Sequence, residues 1–207
     1  MDLSNNTIER ICKVFGYLSV IEKKRIEFVS SRELAETIGS TEYTIRKDFS
    51  LMQITGFTRK GYEVKSLKEK LGARFLLNKK RRACIVGLGR LGTALLDYEH
   101  FQEDGFEIIA GFDSNINKIE RIQTHIDVYP VSLLSDIIKS KSIELGIITV
   151  PQNSAQEIAD ILSQAGVKGV LNFSPAQINV PSHIVYLSMD FTSAFRFIAA
   201  KFKVRGE

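Results

Sequence analysis

The sequence predicts an α/β protein: an N-terminal winged helix-turn-helix domain, a Rossmann-type doubly wound parallel sheet, and a C-terminal dimerisation helix. Three observations support this prediction. A glycine fingerprint begins at Gly87 after an apolar strand, helical periodicity with a glycine turn occupies the N-terminal segment, and an apolar stripe ends the chain. The predicted domains span residues 1–78, 79–188 and 189–207, and 207 residues suffice for two separate cores.

The N-terminal segment predicts three helices of a helix-turn-helix domain. Apolar residues at helical spacing predict the first over residues 6–21. A capping box at Ser30 begins the second, which Gly39 ends, and the third spans about residues 42–53. Two helices joined by a tight glycine-containing turn are typical of DNA-binding proteins.

The third helix is the candidate DNA-reading element. Ile45, Phe49 and Met52 share its inward face, which leaves polar and basic side chains for a major groove. Residues 56–64 alternate and turn like a hairpin wing whose two tip cations would reach a minor groove or the backbone. The candidate DNA contacts are Ser31, Tyr43, Thr44, Arg46, Lys47, Ser50, Arg59 and Lys60.

Charge is divided unevenly along the chain. Residues 1–82 hold 18 Lys and Arg against 10 Asp and Glu, a balance of +8. Residues 83–207 hold 10 against 14, a balance of −4. A basic domain beside an acidic one predicts a polyanion partner for the first and a separate task for the second. The basic run at residues 79–82 is interpreted as a solvated linker.

A dinucleotide-binding βαβ unit is predicted around the glycines. Gly87 would make the tight turn after a buried strand, Gly89 would let the backbone approach a pyrophosphate, and Gly92 would let the next helix pack closely. Asp113 ends the following strand, where its carboxylate would accept hydrogen bonds from a ribose and favour NAD(H) over NADP(H). Lys118 just beyond it is interpreted as part of a solvated helix face. The alternative is a nucleotide-free domain whose glycines serve packing only.

The remaining sequence completes one sheet, with strands predicted over residues 145–150, 167–173 and 185–187. Ligands of doubly wound sheets lie outside the carboxyl ends of the strands, so the residues there would border the nicotinamide end. The candidate cofactor-binding residues are Gly87, Leu88, Gly89, Arg90, Leu91, Gly92, Asp113, Thr149, Val150, Pro151, Asn172, Phe173, Ser174 and Pro175.

The last predicted helix, from about Asp190 to Phe202, carries an apolar stripe. Phe191, Phe195, Ile198 and Phe202 recur at helical spacing. Either its own domain or a twofold partner must cover this stripe.

Composition excludes several classes of protein. The sequence has neither an apolar run of membrane-spanning length nor a signal peptide, which predicts a soluble, cytoplasmic protein. Cys12 and Cys84 are interpreted as small core residues, and the scattered histidines predict no metal site.

The chain resembles the Rex family of redox-sensing transcriptional repressors over nearly its whole length. The motifs are Ser30–Glu36, Ile45–Ser50, Ile85–Leu95, Ile147–Pro151, Gly166–Pro175 and Met189–Phe191. The resemblance implies a homodimer with swapped C-terminal helices that binds an inverted-repeat DNA operator when NADH is scarce. It further implies release of the operator when NADH binds, so that NADH/NAD⁺ is a sensed ligand and the protein is not an enzyme.

The resemblance also implies roles for the subunit contact. Tyr98 and Asp190 would belong to the part of the subunit contact that differs between the DNA-bound and NADH-bound states. Phe191 would pack near the partner's nicotinamide pocket, and Phe195 and Ile198, further along the same helix, would also belong to the subunit contact. Gly16 stands where the family has an arginine partner for the Asp190 carboxylate. The wing arginine is also displaced by one residue, so we interpret the chain as a divergent member.

Two other functions are compatible with these patterns. An NAD-dependent dehydrogenase with an N-terminal extension would use the same fingerprint. The chain leaves no room for a substrate domain, however, and no His or Lys beside an acid indicates hydride transfer. A DNA-binding protein with a vestigial nucleotide pocket is the other alternative.

Overall fold

The computed structural model describes residues 3–205, and the outermost ends of the first and last predicted domains, residues 1, 2, 206 and 207, lie outside the described residues. The chain divides between Lys79 and Lys80 into two units, here called the N-terminal unit and the C-terminal unit.

The N-terminal unit is a winged helix-turn-helix, as predicted. Its elements are α1 (Asn5–Lys23), β1 (Phe28–Val29), α2 (Ser31–Ile38), α3 (Glu42–Leu51), β2 (Tyr62–Glu63) and α4 (Val64–Phe75). The two short strands pair antiparallel. Its core is apolar and fully buried; the largest side chains in it are Ile11, Leu18, Ile21, Leu34, Ile45, Phe49, Leu67 and Leu71.

Local capping explains where α2 and α3 begin and end. The Ser30 hydroxyl accepts a hydrogen bond from the Glu33 N–H at 3.1 Å, and Gly39 ends α2 in the left-handed region with φ of 68°. Thr41 caps α3. That helix ends two residues before the predicted residue 53, because Gln53 adopts a left-handed φ of 57°.

The wing is shorter than the alternating pattern predicts. Phe57 and Gly61 form one isolated antiparallel bridge, and Val64, predicted as part of the wing, is instead the first residue of α4. Arg59 lies at the tip with φ of 67°. A Cβ on Gly61 would lie 2.3 Å from the Val29 carbonyl oxygen, so a glycine is needed where the wing crosses β1.

The C-terminal unit contains one six-stranded, fully parallel sheet. Its strands are β3 (Arg81–Val86), β4 (Phe106–Asp113), β5 (Val128–Pro130), β6 (Leu145–Ile148), β7 (Gly169–Asn172) and β8 (Val185–Ser188). They lie in the order β5-β4-β3-β6-β7-β8. Successive strands are added towards one edge from β3 to β5 and towards the other edge from β6 to β8, so the strand order reverses between β3 and β6. This reversal confirms the Rossmann-type prediction and marks the usual position of a ligand.

Helices cover the two faces of this sheet unequally. They are α5 (Arg90–Leu96), α6 (Glu99–Glu103), α7 (Ile116–Ile119), α8 (Leu134–Ser140), α9 (Gln152–Ala165) and α10 (Phe191–Arg205). Helices α8 and α9 pack on one face, where the larger buried core of this unit lies. The other face has a smaller core, formed where α5 and the start of α6 pack near β3 and β4.

Two interpretations of individual residues were wrong. Cys12 is exposed on α1, whereas Cys84 is buried in β3, where desolvation raises the pKa of its thiol to about 12. The basic run is not only a linker, because Arg81 and Arg82 belong to β3. The Arg81 guanidinium lies 3.4 Å from the Glu144 carboxylate. Contacts between residues distant in sequence thus hold these cations.

Two classes of site are lacking from residues 3–205. None of the helices in that range combines the length and apolar character needed to cross a bilayer. The same residues bring no three His, Cys, Asp or Glu side chains together in a way that could hold a metal ion.

Candidate nucleotide site and nucleic-acid interface

The three fingerprint glycines meet different surroundings. Gly87 has a left-handed φ of 98°, and a Cβ there would lie 2.7 Å from Cγ1 of Val150. A Cβ on Gly92 would lie 2.1 Å from the Gly87 carbonyl oxygen. A Cβ on Gly89 would meet nothing within 4 Å. Packing therefore requires Gly87 and Gly92 but leaves the glycine at position 89 unexplained.

The end of β6 is joined to this loop at the point where the strand order reverses. The Thr149 hydroxyl donates to the Gly87 carbonyl oxygen at 2.6 Å, and the Thr149 N–H donates to the Val86 carbonyl oxygen at 2.9 Å. On the other side of the loop the Thr93 hydroxyl donates to the Leu88 carbonyl oxygen at 3.0 Å. These hydrogen bonds hold the backbone of the glycine loop in place, while the space next to Gly89 stays free of protein atoms.

Asp113 is buried at the end of β4 and holds the other side of the loop. Its Oδ2 accepts from the Leu88 N–H at 2.8 Å and from the Lys118 ammonium at 2.7 Å, and its Oδ1 accepts from the Asn115 N–H at 2.9 Å. Burial alone would raise the pKa of this carboxyl, but the hydrogen bonds from Lys118, Asn115 and Leu88 outweigh it and lower the pKa below its ordinary value. Lys118 lies on α7 with 36% of its side chain exposed, and it is also an ion-pair partner of Asp113, which the sequence did not predict.

The residues predicted at the nicotinamide end divide into two sets. Asn172 and Ser174 are buried, and the Asn172 amide oxygen accepts from the Ser174 N–H at 2.9 Å, so both serve the turn after β7. Val150 lies against the glycine loop, and Pro151 precedes α9. The Phe173 ring lies 6.0 Å from the Phe191 ring, which places the start of α10 beside the end of β7.

An apolar helix face and an apolar groove both lie open in the C-terminal unit. On α10, Phe195 is 72% exposed, and Phe191, Ile198 and Phe202 are each about half exposed. The groove, of about 600 Å³, runs along the thinly covered sheet face. Its lining is mostly apolar and includes Ala83, Phe101, Phe106, Ile147, Leu171, Val185 and Leu187.

Among the remaining residues predicted for the subunit contact, Tyr98 and Asp190 are exposed, whereas Gly16 on α1 is partly buried. Tyr98 stacks beside His100 and Phe101, with ring centroids 5.3 Å and 5.1 Å away. The Asp190 carboxylate caps α10, accepting from the Thr192 N–H at 2.9 Å and the Ser193 hydroxyl at 2.5 Å. Those hydrogen bonds lower the Asp190 pKa.

Helix α3 presents the predicted face to solvent. Tyr43 is 75% exposed, and Arg46, Lys47 and Ser50 are also exposed. Thr44 is half-buried. Both wing cations are exposed, and the Lys60 ammonium lies 5.4 Å from the centre of the Phe28 ring. The structure therefore gathers seven of the eight candidate DNA contacts on solvent-accessible surface; Ser31, 6% exposed, is the exception.

Two carboxylates on α3 have contacts that the sequence did not predict. Asp48 is buried on the inner side, where it accepts from Nε and Nη2 of Arg10 at 2.7 Å and 2.9 Å. Glu42 accepts from the Ser31 hydroxyl at 2.8 Å and pairs with Nη2 of Arg46. The Glu42–Arg46 spacing of four residues is a helical ion-pair signal, whereas the 38 residues between Arg10 and Asp48 give no local signal.

Two family models match parts of the chain. A model described as "CoA binding domain" matches residues 78–176, and one described as "Putative DNA-binding protein N-terminus" matches residues 2–50.

Full-length relatives match as well. The redox-sensing transcriptional repressor Rex of Carboxydothermus hydrogenoformans is 37% identical over 186 residues, which is 90% of this chain and 89% of the relative. The crystal structure of RSP, a Rex-family repressor, in complex with β-NADH matches with a TM-score of 0.86 and 28% identity, over 99% of this chain and 96% of that one. RSP in complex with β-NAD⁺ and operator DNA matches with a TM-score of 0.86 and 29% identity, over 100% of this chain and 99% of that one.

Proposed function

Since the chain belongs to the Rex family of redox-sensing transcriptional repressors, we propose that it binds an inverted-repeat operator as a homodimer and releases it when NADH binds. The observation that carries the nucleotide part is the open space at Gly89. A Cβ there would meet no protein atom within 4 Å, so packing does not require a glycine and the backbone at this position is open to a ligand. A pyrophosphate passing close to the backbone is the ligand that such a loop accepts in doubly wound sheets.

The residues around the loop fit a dinucleotide. The Asp113 carboxylate has about four acceptor sites, of which the three hydrogen bonds described above use three, so one remains for a ribose hydroxyl. At the other end of the sheet edge, residues 149–151 and 172–175 would border the nicotinamide. Bound there, the dinucleotide is read as a signal, and the sheet edge only holds and orients it.

The N-terminal unit fits duplex DNA. Helix α3 would lie in a major groove with Arg46 at base edges and Lys47 and Ser50 at phosphates, while the wing tip would contact the backbone or minor groove. The balance of +8 over residues 1–82 provides the attraction to phosphates.

A second copy of the chain fits the open apolar surfaces. The stripe on α10 and the groove along the sheet face are both apolar and both uncovered, and in a twofold dimer the helix of each protomer would fill the groove of its partner. We therefore propose residues 189–207 as a swapped dimerisation segment, residues 1–78 as the DNA-binding domain and residues 79–188 as the NAD(H)-binding domain.

We propose no catalytic activity for this chain. The relatives that the chain matches are named as transcriptional repressors, and a ligand that is sensed needs no reacting partner. A repressor acts where the operator is, so we propose a cytoplasmic protein that works without a metal or a membrane.

A fluorescence-anisotropy titration tests the proposal. A labelled palindromic duplex is titrated at fixed salt with the protein alone, with NAD⁺ and with NADH. We expect tight binding with NAD⁺ or no nucleotide and weaker binding with NADH, because a ligand shifts an equilibrium only by its differential affinity for the two states. Equal affinity in all three conditions contradicts the proposed switch. Reduction of NAD⁺ with a small alcohol present, or oxidation of NADH with a keto acid present, would instead indicate a dehydrogenase.

A further inference from the structure

The Arg46 guanidinium is held from one side by two polar residues. Its Nε donates to the Ser31 hydroxyl oxygen at 3.1 Å, and its Nη2 donates to the Glu42 carboxylate. The Ser31 hydroxyl in turn donates to the same Glu42 oxygen at 2.8 Å. These three residues, called here the Ser31–Glu42–Arg46 triad, close a ring of three hydrogen bonds between the start of α2 and the first turns of α3.

The triad uses one particular edge of the guanidinium. Nε and Nη2 form its side edge, whereas Nη1 and the second N–H of Nη2 form its end fork. Neither of the two hydrogen bonds that Arg46 donates in the triad uses the end fork, and 65% of the Arg46 side chain remains exposed. The end fork has the spacing that binds O6 and N7 of guanine with two parallel hydrogen bonds.

The two groups that hold Arg46, Ser31 and Glu42, are each kept in place by their position in a helix. Ser31 is 6% exposed and fixed at the first position of α2, so its hydroxyl has little freedom to move. Glu42 is part of the first turn of α3, where a carboxylate is favourable. The hydrogen bond from Ser31, together with the charges of Arg46 and Arg32, lowers the Glu42 pKa and keeps the carboxylate ionised.

We propose that Glu42 is a specificity-determining positioning residue: with Ser31 it fixes the Arg46 side chain so that the end fork reads one guanine in each half-site. An unsupported arginine loses several rotamers when it binds, and it can turn equally well to a phosphate. Held by the triad, Arg46 has lost that freedom before DNA arrives. A negative charge on a DNA-facing surface weakens the general attraction to phosphates. Glu42 therefore lowers the affinity for non-specific DNA and raises the discrimination between bases.

This inference rests on the proposed DNA-binding function, and a selection experiment separates the two. Wild-type protein selects duplexes from a pool with about 20 randomised base pairs, enough for two half-sites one helical turn apart. Arg46→Ala then identifies the base pair that Arg46 reads, as the position where a guanine preference of at least about fivefold disappears. Affinity for selected and scrambled duplexes is measured at the same salt.

Three further variants test the triad. Glu42→Ala is expected to lose the same guanine preference as Arg46→Ala, by at least about fivefold, while its affinity for scrambled duplex stays equal or rises. Glu42→Gln is expected to keep most of the preference, because its amide oxygen still accepts from both partners. Glu69→Ala, which removes an exposed carboxylate on α4, is the matched control and should keep the wild-type preference.

The outcomes are distinct. Loss of preference in Glu42→Ala with retained affinity for scrambled duplex supports the inference, and a misfolded variant is recognised by weaker binding to both duplexes. A Glu42→Ala variant that keeps the guanine preference shows that Glu42 does not position Arg46. A variant with a stronger guanine preference shows that Glu42 keeps Arg46 away from DNA. Either result overturns this inference and leaves the proposed function standing. A wild-type chain that selects no duplex overturns the proposed function as well.

Discussion

The substitution Gly89→Ala separates the packing role of the glycine loop from its proposed ligand role. Gly89 has φ of −65° and ψ of −170°, which alanine adopts without strain, and its added Cβ would meet nothing within 4 Å. Replacing a glycine at a compatible position also reduces the freedom of the unfolded chain. Gly89 is also the N-cap of α5, where alanine is less favourable than glycine, so the two effects oppose each other and we expect the free energy of unfolding to change by less than about 1 kcal/mol.

The same methyl group would stand between the loop and a pyrophosphate. Losing one hydrogen bond to a charged phosphate costs about 1.5–3 kcal/mol, which raises the dissociation constant for NADH by roughly 10- to 150-fold. NADH fluorescence titration measures the binding loss, and urea unfolding followed by circular dichroism measures the stability.

Gly92→Ala is the comparison variant. Its Cβ would lie 2.1 Å from the Gly87 carbonyl oxygen and 2.8 Å from the Thr149 hydroxyl, so α5 must move away from the sheet. Overpacking of this kind costs about 1–3 kcal/mol and lowers the melting temperature by several degrees. If Gly89→Ala binds NADH as tightly as wild type, no pyrophosphate passes at Gly89 and the reasoning fails.

Four further substitutions extend these tests. Phe195→Ser should turn the proposed dimer into a monomer in analytical ultracentrifugation, and an unchanged dimer would show that α10 is not the interface. Asp48→Asn weakens the bidentate pair with Arg10 and should cost about 1–3 kcal/mol of stability in urea, whereas a loss under about 0.5 kcal/mol contradicts a structural role. Because the folded-state pKa of Asp113 is lowered, its stabilisation is present above about pH 4 and disappears as the pH falls through the folded pKa. The stability advantage of wild type over Asp113→Asn should therefore shrink in urea titrations from about pH 6 to about pH 3, and a constant difference refutes this. Gly16→Arg fits α1, since a Cβ there meets nothing within 4 Å, and should enlarge the NADH-dependent loss of DNA affinity; an unchanged response removes the idea that Gly16 weakens the switch.

Elements with local signals could be predicted from the sequence. The α2 helix carries its own capping serine and terminal glycine, and β3 ends in four apolar residues directly before Gly87, so both patterns lie within a few residues of the structure they specify. The weak helix α4 and the three-residue strand β5 were missed, because a short amphipathic segment forms only when the rest of the unit packs against it.

Ion pairs between distant residues could not be predicted. Arg81 was assigned to a linker because its charge is typical of solvated segments, but Glu144, 63 residues later, lies beside it in the folded sheet. Lys118 illustrates the same effect over five residues, since only the turn after β4 brings its ammonium back to Asp113. Periodicity records which side of a helix or strand is apolar, and it carries no information on which charge will be opposite.

The position of Phe191 links the two proposed tasks of the C-terminal unit. Its ring lies 6.0 Å from Phe173, which follows β7 at the edge proposed for the nicotinamide, and the same residue begins the helix proposed to join the partner. A ligand that displaces Phe173 therefore acts directly on the start of α10. Coupling between two binding events is reciprocal, so whatever NADH does to the arrangement of the dimer, that arrangement must do to the affinity for NADH. A dimer held in its DNA-bound form should accordingly bind NADH more weakly than the free dimer, by the same factor that NADH weakens the binding of DNA.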